Sequence, residues 1–392
     1  MSRRAGGGAA ADLPDLETHR AAPAAMLDAF VAGGHCRSGQ LVVRVDGRQV
    51  LSHAVGEARP GVPMSVGTKA RLDCAMKPVV AMGILALAAR GLLCVDEPVS
   101  RYVPEFGCGG KETITAHHLL THTAGHFMPR NAFPYISSPA VLKQRLFAGR
   151  IGDWTPGTVI RYDSWGGWWT LTEMIERVTT VPWTDFLAEH VLRPAGADAL
   201  ELVPVPGPDP SRLELAYWSL RFGGPVCELT RLNSPQALSW PNPAYGGYAP
   251  MEALAELYTV LSEPERCRDL LGFDPSPMTT TQQPAGLTEE PADRFVTGSE
   301  EDDETDRSFR VENGMGYGMF LRLDRCNFYR EVSPASFGHH SNAGTWGMCD
   351  PRAGLVIALR MNGVPRELIG DGSAYRSTHG HPVVAAVYRA FR

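Results

Sequence analysis

No apolar run in these 392 residues is long enough to cross a bilayer. The longest, Pro78 to Leu93, is broken by Arg90 and reads as a buried core helix. Arg3 and Arg4 could open a signal peptide, but Asp12, Asp15 and Glu17 arrive before any apolar h-region. Residues 1–20 are therefore expected to be a flexible tail, and the chain cytoplasmic, with no membrane partner. Basic residues are not in excess: 37 Lys and Arg face 43 Asp and Glu, a net charge of −6, which argues against nucleic acid as a partner. None of the eight cysteines (36, 74, 94, 108, 227, 267, 326 and 349) forms a CxxC pair or a zinc-like cluster with histidine. Most are expected to be free, buried thiols. No internal repeat is evident, and nothing in the sequence calls for a metal or an organic cofactor. A small-molecule substrate is the remaining expectation; oligomeric state is not legible.

A hydrophobic content of 44% is enough for a substantial core. Leu41–Val45, Asp46-Gly47 and Val50–Val55 read as a β-hairpin on the favoured Asp-Gly turn. The middle is mostly helical. Leu171, Met174, Ile175 and Val178 have amphipathic helical spacing, in a helix expected to begin near Thr170, with Glu173 and Arg177 paired outside. Another helix is expected from Met251 to Leu261. Residues 203–243, rich in proline, read as an extended insertion, and 298–307 as an acidic loop. Strand signals return at Tyr317–Leu323 and Leu355–Met361, before a closing helix, Pro382–Phe391. Strands at both ends and helices between them predict an α+β chain. One sheet domain would comprise 21–72 and 310–392, with a mostly helical domain, 73–309, inserted. A cleft between two such lobes is a usual small-molecule site.

Three remote segments carry chemistry. Asp73-Cys74-Ala75-Met76-Lys77-Pro78 runs into a helix that is apolar on nearly every side, hence central. Cys74 at such a helix start is placed where the dipole and free N–H groups favour a thiolate. Lys77 lies one turn on, and a buried lysine beside a nucleophile can lose its proton and act as a base. Arg161-Tyr162-Asp163-Ser164 precedes the next helix; a phenol near an amine can shuttle a proton. Phe337-Gly-His-His-Ser-Asn-Ala-Gly344, followed by Asp350-Pro351, has glycines that admit a ligand close to a strand.

Taken together, these segments resemble the family of class C β-lactamases, D-alanyl-D-alanine carboxypeptidases and related esterases and transacylases. Gly91–Phe106, Ile114–Gly125 (ITAHHLLTHTAG) and Trp154–Tyr162 (WTPGTVIRY) also match, in order, over roughly residues 40–390. The resemblance implies a β-lactamase/transpeptidase-like fold with an antiparallel sheet flanked by helices. It places Cys74 at the position of the nucleophilic serine, Lys77 as general base and Tyr162 as the group that protonates the leaving group. His339 falls where the third motif has Lys or His. His339 and His340 are adjacent, so the register is open by one residue, and the spacing to Gly344 and Asp350-Pro351 favours His339. The N–H groups of Cys74 and Asn342 are the implied oxyanion hole. Ser164 stands in place of an asparagine and Ser341 in place of a glycine, so β-lactam recognition is in doubt. Ser164, Ser341, His340, Tyr245 and Trp165 are the candidate substrate contacts. Trp165, Trp168 and Trp169 read first as core, with one of them a possible wall of the acyl pocket. His122 reads as structural.

The expected activity is acyl transfer through an acyl-Cys74 thioester, from an ester, thioester or amide donor to an amine or alcohol. A thioester reacts readily with amines and hydrolyses slowly. The Ala-, Arg-, Gly- and Pro-rich composition is reminiscent of high-GC bacteria, where such relatives serve specialised metabolism, and antibiotic or other natural-product assembly is the expected setting. A hydrolase with water as acceptor, and a non-catalytic binding protein on the same scaffold, are the alternatives.

Overall fold

A computed structural model describes residues 23–125, 138–152, 155–163, 165–203, 213–218, 226–289, 314–325, 331–341, 343–363 and 380–392. The expected N-terminal tail, the acidic loop, Ser164 and Asn342 lie outside these residues.

Among the described residues, eight strands form the main sheet. They are β1 (Ser38–Val45), β2 (Arg48–Arg59), β3 (Val62–Pro63), β4 (Met315–Gly316), β5 (Met319–Leu321), β6 (Phe337–His340), β7 (Thr345–Asp350) and β8 (Leu355–Asn362). The order across the sheet is β4-β5-β6-β7-β8-β1-β2-β3, with every pair antiparallel. Strands from the two ends of the chain meet where β8 pairs β1, as the sequence predicts. The hairpin forms as expected: Asp46 (φ 48°) and Gly47 (φ 77°) take the left-handed conformations that a two-residue turn requires.

Both faces of the sheet are covered. Along β8, Leu355, Ile357 and Leu359 join one core with helices α1 (Pro23–Ala32) and α5 (Gly380–Phe391), while Val356 and Ala358 join the other. This two-sided burial is why Leu355–Leu359 reads as an unbroken apolar run rather than an alternation. The second core contains α2 (Lys77–Ala89), α3 (Gly166–Thr179) and α4 (Met251–Ser262). α4 packs directly on β1, β7 and β8.

Three elements differ from expectation. The single strand predicted over Tyr317–Leu323 is a turn at Tyr317-Gly318 and a short strand, β5, with residues 323–325 in a 3-10 turn. Gly318 takes a φ of +67°, which reverses the chain after β4. Helix α3 begins at Gly166 rather than near Thr170. The Asp163 carboxylate accepts from the N–H groups of Trp165 and Gly166, both at 2.9 Å, and from Gly167, so the cap lies one turn earlier than the apolar period implies. Where the insertion 203–243 is described, it is not simply extended. Tyr217–Trp218 pairs with Cys227–Glu228, and Pro235–Ser239 is a short helix.

Candidate active site

The nucleophile candidate is presented by strained backbone. Asp73 has φ +51°, a left-handed conformation unfavourable for a non-glycine residue but best tolerated by Asp and Asn. Its carboxylate is held by Arg71 Nε at 2.8 Å, and both side chains are buried. Arg71 also donates to the Tyr245 carbonyl at 2.9 Å, and its own carbonyl accepts from Thr345 Oγ1 at 2.9 Å. Arg71 therefore ties the approach to Cys74 to both the Tyr245 turn and the sheet. Cys74 lies in a 3-10 turn, Asp73–Met76, that leads into α2, with Pro78 in its first turn, where its missing N–H costs nothing. Among the described residues seven cysteines are free thiols: 36, 74, 267 and 349 are buried, while 94, 108 and 227 are exposed. Burial pushes Cys36 and Cys267 up to about 12, so those thiols stay protonated.

Among the described residues, two cysteines have a lysine amine beside them, Cys74 with Lys77 and Cys108 with Lys111 (4.0 Å); Cys108 is exposed, whereas Cys74 is buried together with Lys77. Lys77 is fully buried. Its Nζ donates to the Ala244 carbonyl at 3.2 Å and lies over the rings of Tyr245 (4.7 Å), Tyr162 (5.4 Å) and Trp168 (5.7 Å). Burial lowers its pKa below the ordinary 10.5; the Cys74 sulfur opposes this most, followed by Asp163 and Asp73.

Tyr162 is oriented from several sides. Its ring stacks on His122 at 4.4 Å and on Phe320 at 6.0 Å. His122 has a left-handed φ of +58°, and its Nδ1 accepts from the Asp163 N–H at 2.9 Å. It acts on the backbone next to Tyr162, in line with a structural role. The Tyr162 hydroxyl lies 3.1 Å from His339 Nε2. His339 Nδ1 lies 3.0 Å from the Gly318 carbonyl. A carbonyl only accepts, so Nδ1 carries the proton. Nε2 is then an acceptor, and the Tyr162 O–H donates to it. Burial first, then the Lys77 charge, holds the His339 pKa well below 6.5, so the ring is neutral. His339 is held in turn through its N–H, which donates to Tyr258 Oη at 2.9 Å. His340 is half-buried and stacks on Phe320 at 5.0 Å. The Tyr162 hydrogen bond goes to His339, the register that the spacing favours.

Two further candidates are placed differently. Ser341 is fully buried, and its Oγ accepts from the Thr345 N–H at 3.0 Å, closing the turn between β6 and β7. That hydroxyl serves the turn. Trp165 and Tyr245 are half-buried partners, with ring centroids 4.1 Å apart, and Tyr245 also covers Lys77. Arg71, Tyr258, Gly318, Asp73 and Asp163 also shape the site, and none of them is among the candidate residues read from the sequence. Asp163 alone had a legible signal, an Asp three residues before a Gly-Gly helix start. The others act through tertiary contacts that leave no local pattern. Among the described residues, no group of three or more His, Cys, Asp or Glu could hold a metal ion, and no helix is long and apolar enough to cross a membrane.

The same arrangement of elements recurs in solved structures. A penicillin-binding protein homologue from Caulobacter crescentus superposes with a TM-score of 0.70 at 22% identity, over 96% of this chain and 98% of that one. A family VIII carboxylesterase gives 0.71 at 21% identity, with the same coverage. At such identities the likeness shows the fold. Among curated proteins, Esterase EstB of Burkholderia gladioli is 42% identical over 78 residues, 19% of this chain. Esterase/beta-lactamase LipL of Mycobacterium tuberculosis is 30% identical over 181 residues, 45% of this chain. The chain spans 20% of the length of the first and 41% of the second. The sequence model of the Beta-lactamase family matches residues 24–378, nearly the whole chain, and the chain belongs to that family.

Proposed function

We propose that this protein is an acyltransferase that works through an acyl-Cys74 thioester. The observation that carries the reading is the fully buried Lys77 amine, three residues from the buried Cys74 at the head of α2, where Cys74 is the group that most opposes the lowering of the Lys77 pKa by burial. Lys77, with its lowered pKa, takes the Sγ proton as sulfur attacks the carbonyl carbon of an ester, thioester or amide. The S–C bond forms and the bond to the leaving group breaks. The proton reaches the leaving group from Lys77 by way of Tyr162, whose hydroxyl is held by the neutral His339. In the second half an amine or alcohol attacks the thioester, the C–S bond breaks, and the acceptor's proton returns to sulfur through Lys77. Thioesters favour amine acceptors over water. EstCE1, a hydrolase with promiscuous acyltransferase activity, has the same fold at a TM-score of 0.68.

A second reading, an esterase with water as acceptor, is favoured by the names of the curated relatives EstB and LipL. Product analysis with a thioester donor, with and without added primary amine, separates the two. Predominant amide in the presence of amine supports transfer; free acid in unchanged yield supports hydrolysis.

A further inference from the structure

Residues 213–218, from the inserted segment, bring a carboxylate to the sheet. Glu214 pairs with Arg360 of β8, Nε to Oε2 at 2.8 Å, and each side chain is 1% exposed. Glu214 is firmly seated. Its N–H donates to the Lys69 carbonyl at 3.0 Å, its Oε1 accepts from Ser38 Oγ at 3.1 Å, and the Leu215 N–H donates to the Ala58 carbonyl at 3.0 Å. Taking two charges out of water is expensive, and apolar side chains of similar volume are often at least as stable. Stability alone therefore does not account for the pair.

Arg360 directs its other donors at the active site. Nη1 donates to the Ala343 carbonyl at 2.6 Å and to Thr345 Oγ1 at 3.0 Å, and Nη2 donates to Asn362 Oδ1 at 3.2 Å. Thr345 Oγ1 in turn donates to the Arg71 carbonyl at 2.9 Å. One guanidinium thus grips the β6–β7 turn directly, and the approach to Cys74 through a single hydroxyl. The Cys74 turn itself packs against β6 and β7. A lysine has no rigid fork with which to hold these partners at once.

We infer that Arg360, held by Glu214, is a positioning residue: it sets the spacing between the Cys74 turn and the β6–β7 turn, and with it the aim of the backbone N–H groups that receive the oxyanion of the attacked carbonyl. The inference rests on the acyl-Cys74 reading. The donors implied by the sequence belong to Cys74, three residues after Arg71, and to Asn342, one residue before Ala343. Such donors act by being aimed in advance at the place where charge develops, and a misplacement of about 1 Å can cost about 10²-fold in rate. Lys77 is held separately, by the Ala244 carbonyl.

The test sets two reactions of one sulfur against each other in the whole protein. Acetylation of Cys74 by phenyl thioacetate passes through an oxyanion; alkylation by iodoacetamide displaces iodide and forms none. Both rates are followed on the Cys74 peptide by mass spectrometry, so the exposed cysteines do not contribute. In the double variant Glu214→Leu/Arg360→Met, which leaves no unpaired charge, the ratio of acetylation to alkylation should fall about 10–10²-fold. Thr345→Val, which removes the hydroxyl that joins Arg360 to Arg71, should lower the ratio too, and Thr345→Ser should keep it. The Thr345 variants decide the matter if the double variant does not fold. The wild-type ratio in a folded double variant or in Thr345→Val overturns the inference. So does an equal fall in both reactions, which would make the pair a support of the fold or of the nucleophile alone. In each of those cases acetyl-Cys74 still forms in the wild type, and the acyl-Cys74 reading stands. A wild type that is alkylated at Cys74 but never acetylated there sinks that reading, and the inference with it.

Discussion

The hydroxyl of Tyr162 donates to Nε2 of His339 across 3.1 Å, and the Gly318 carbonyl fixes the ring tautomer that makes this possible. A neutral imidazole therefore stands beside the proposed proton carrier. This neutrality has a measurable consequence. In the unfolded chain the ring titrates near 6.5, whereas in the folded protein its pKa lies well below that. Above pH 6.5 both states are neutral and His339 adds no pH dependence. As pH falls through 6.5 the unfolded state gains a proton that the folded state refuses, so stability falls by about 1.4 kcal/mol per pH unit until the folded pKa is reached. His117, His118 and His190 have lowered values and act in the same direction. Urea unfolding of wild type and His339→Gln from about pH 7 to about pH 5 isolates the His339 share. The variant should show the shallower decline, and parallel curves would refute the assignment.

Lys77 is expected to trade stability for activity. Lys77→Met removes a buried amine and keeps the volume. It should lower kcat/KM by about 10²–10⁴, the usual range for a lost acid–base group, and raise stability by about 1–3 kcal/mol. Because its folded pKa lies below 10.5, the wild-type rate should rise with pH through a value under 10.5, and that limb should vanish in the variant. A stable variant with unchanged kcat/KM would remove Lys77 from the mechanism.

Gly347 pairs with His339 across β6 and β7, and a Cβ there would lie 2.2 Å from Tyr258 Cε2. Gly347→Ala must displace the ring whose hydroxyl holds the His339 N–H. The expected cost is about 1–3 kcal/mol of overpacking, with kcat reduced because His339 shifts. Tyr258→Phe loses the hydrogen bond without the clash and should cost about 1 kcal/mol. Denaturant curves of the two variants, set beside their kcat values, separate packing from positioning. If Gly347→Ala is as stable and as active as the wild type, the close approach has no such role.

Much of this arrangement could be read along the chain because it depends on local patterns. The Asp46-Gly47 turn, the apolar run of β8, the α4 helix and the Cys74–Lys77 spacing are all short-range signals. The start of α3 was misplaced because a side-chain cap, Asp163, overrides the apolar period. Tyr317–Leu323 read as one strand because Gly318, whose carbonyl later holds His339, marks a turn only through its φ. Arg71 leaves no pattern in the sequence because Tyr245 and Thr345, which it ties to Asp73, come from remote parts of the chain. Ser341 was expected at the substrate, but its hydroxyl is engaged by the backbone of its own turn.

The proposed mechanism stands on the acylation of Cys74. Intact-protein mass spectrometry after mixing with an acyl thioester tests it most directly. The predicted result is a mass increase of one acyl group, placed on Cys74 by peptide mapping, discharged by added amine and absent from Cys74→Ala. An adduct that persists in Cys74→Ala, or turnover by that variant at the wild-type rate, would contradict it.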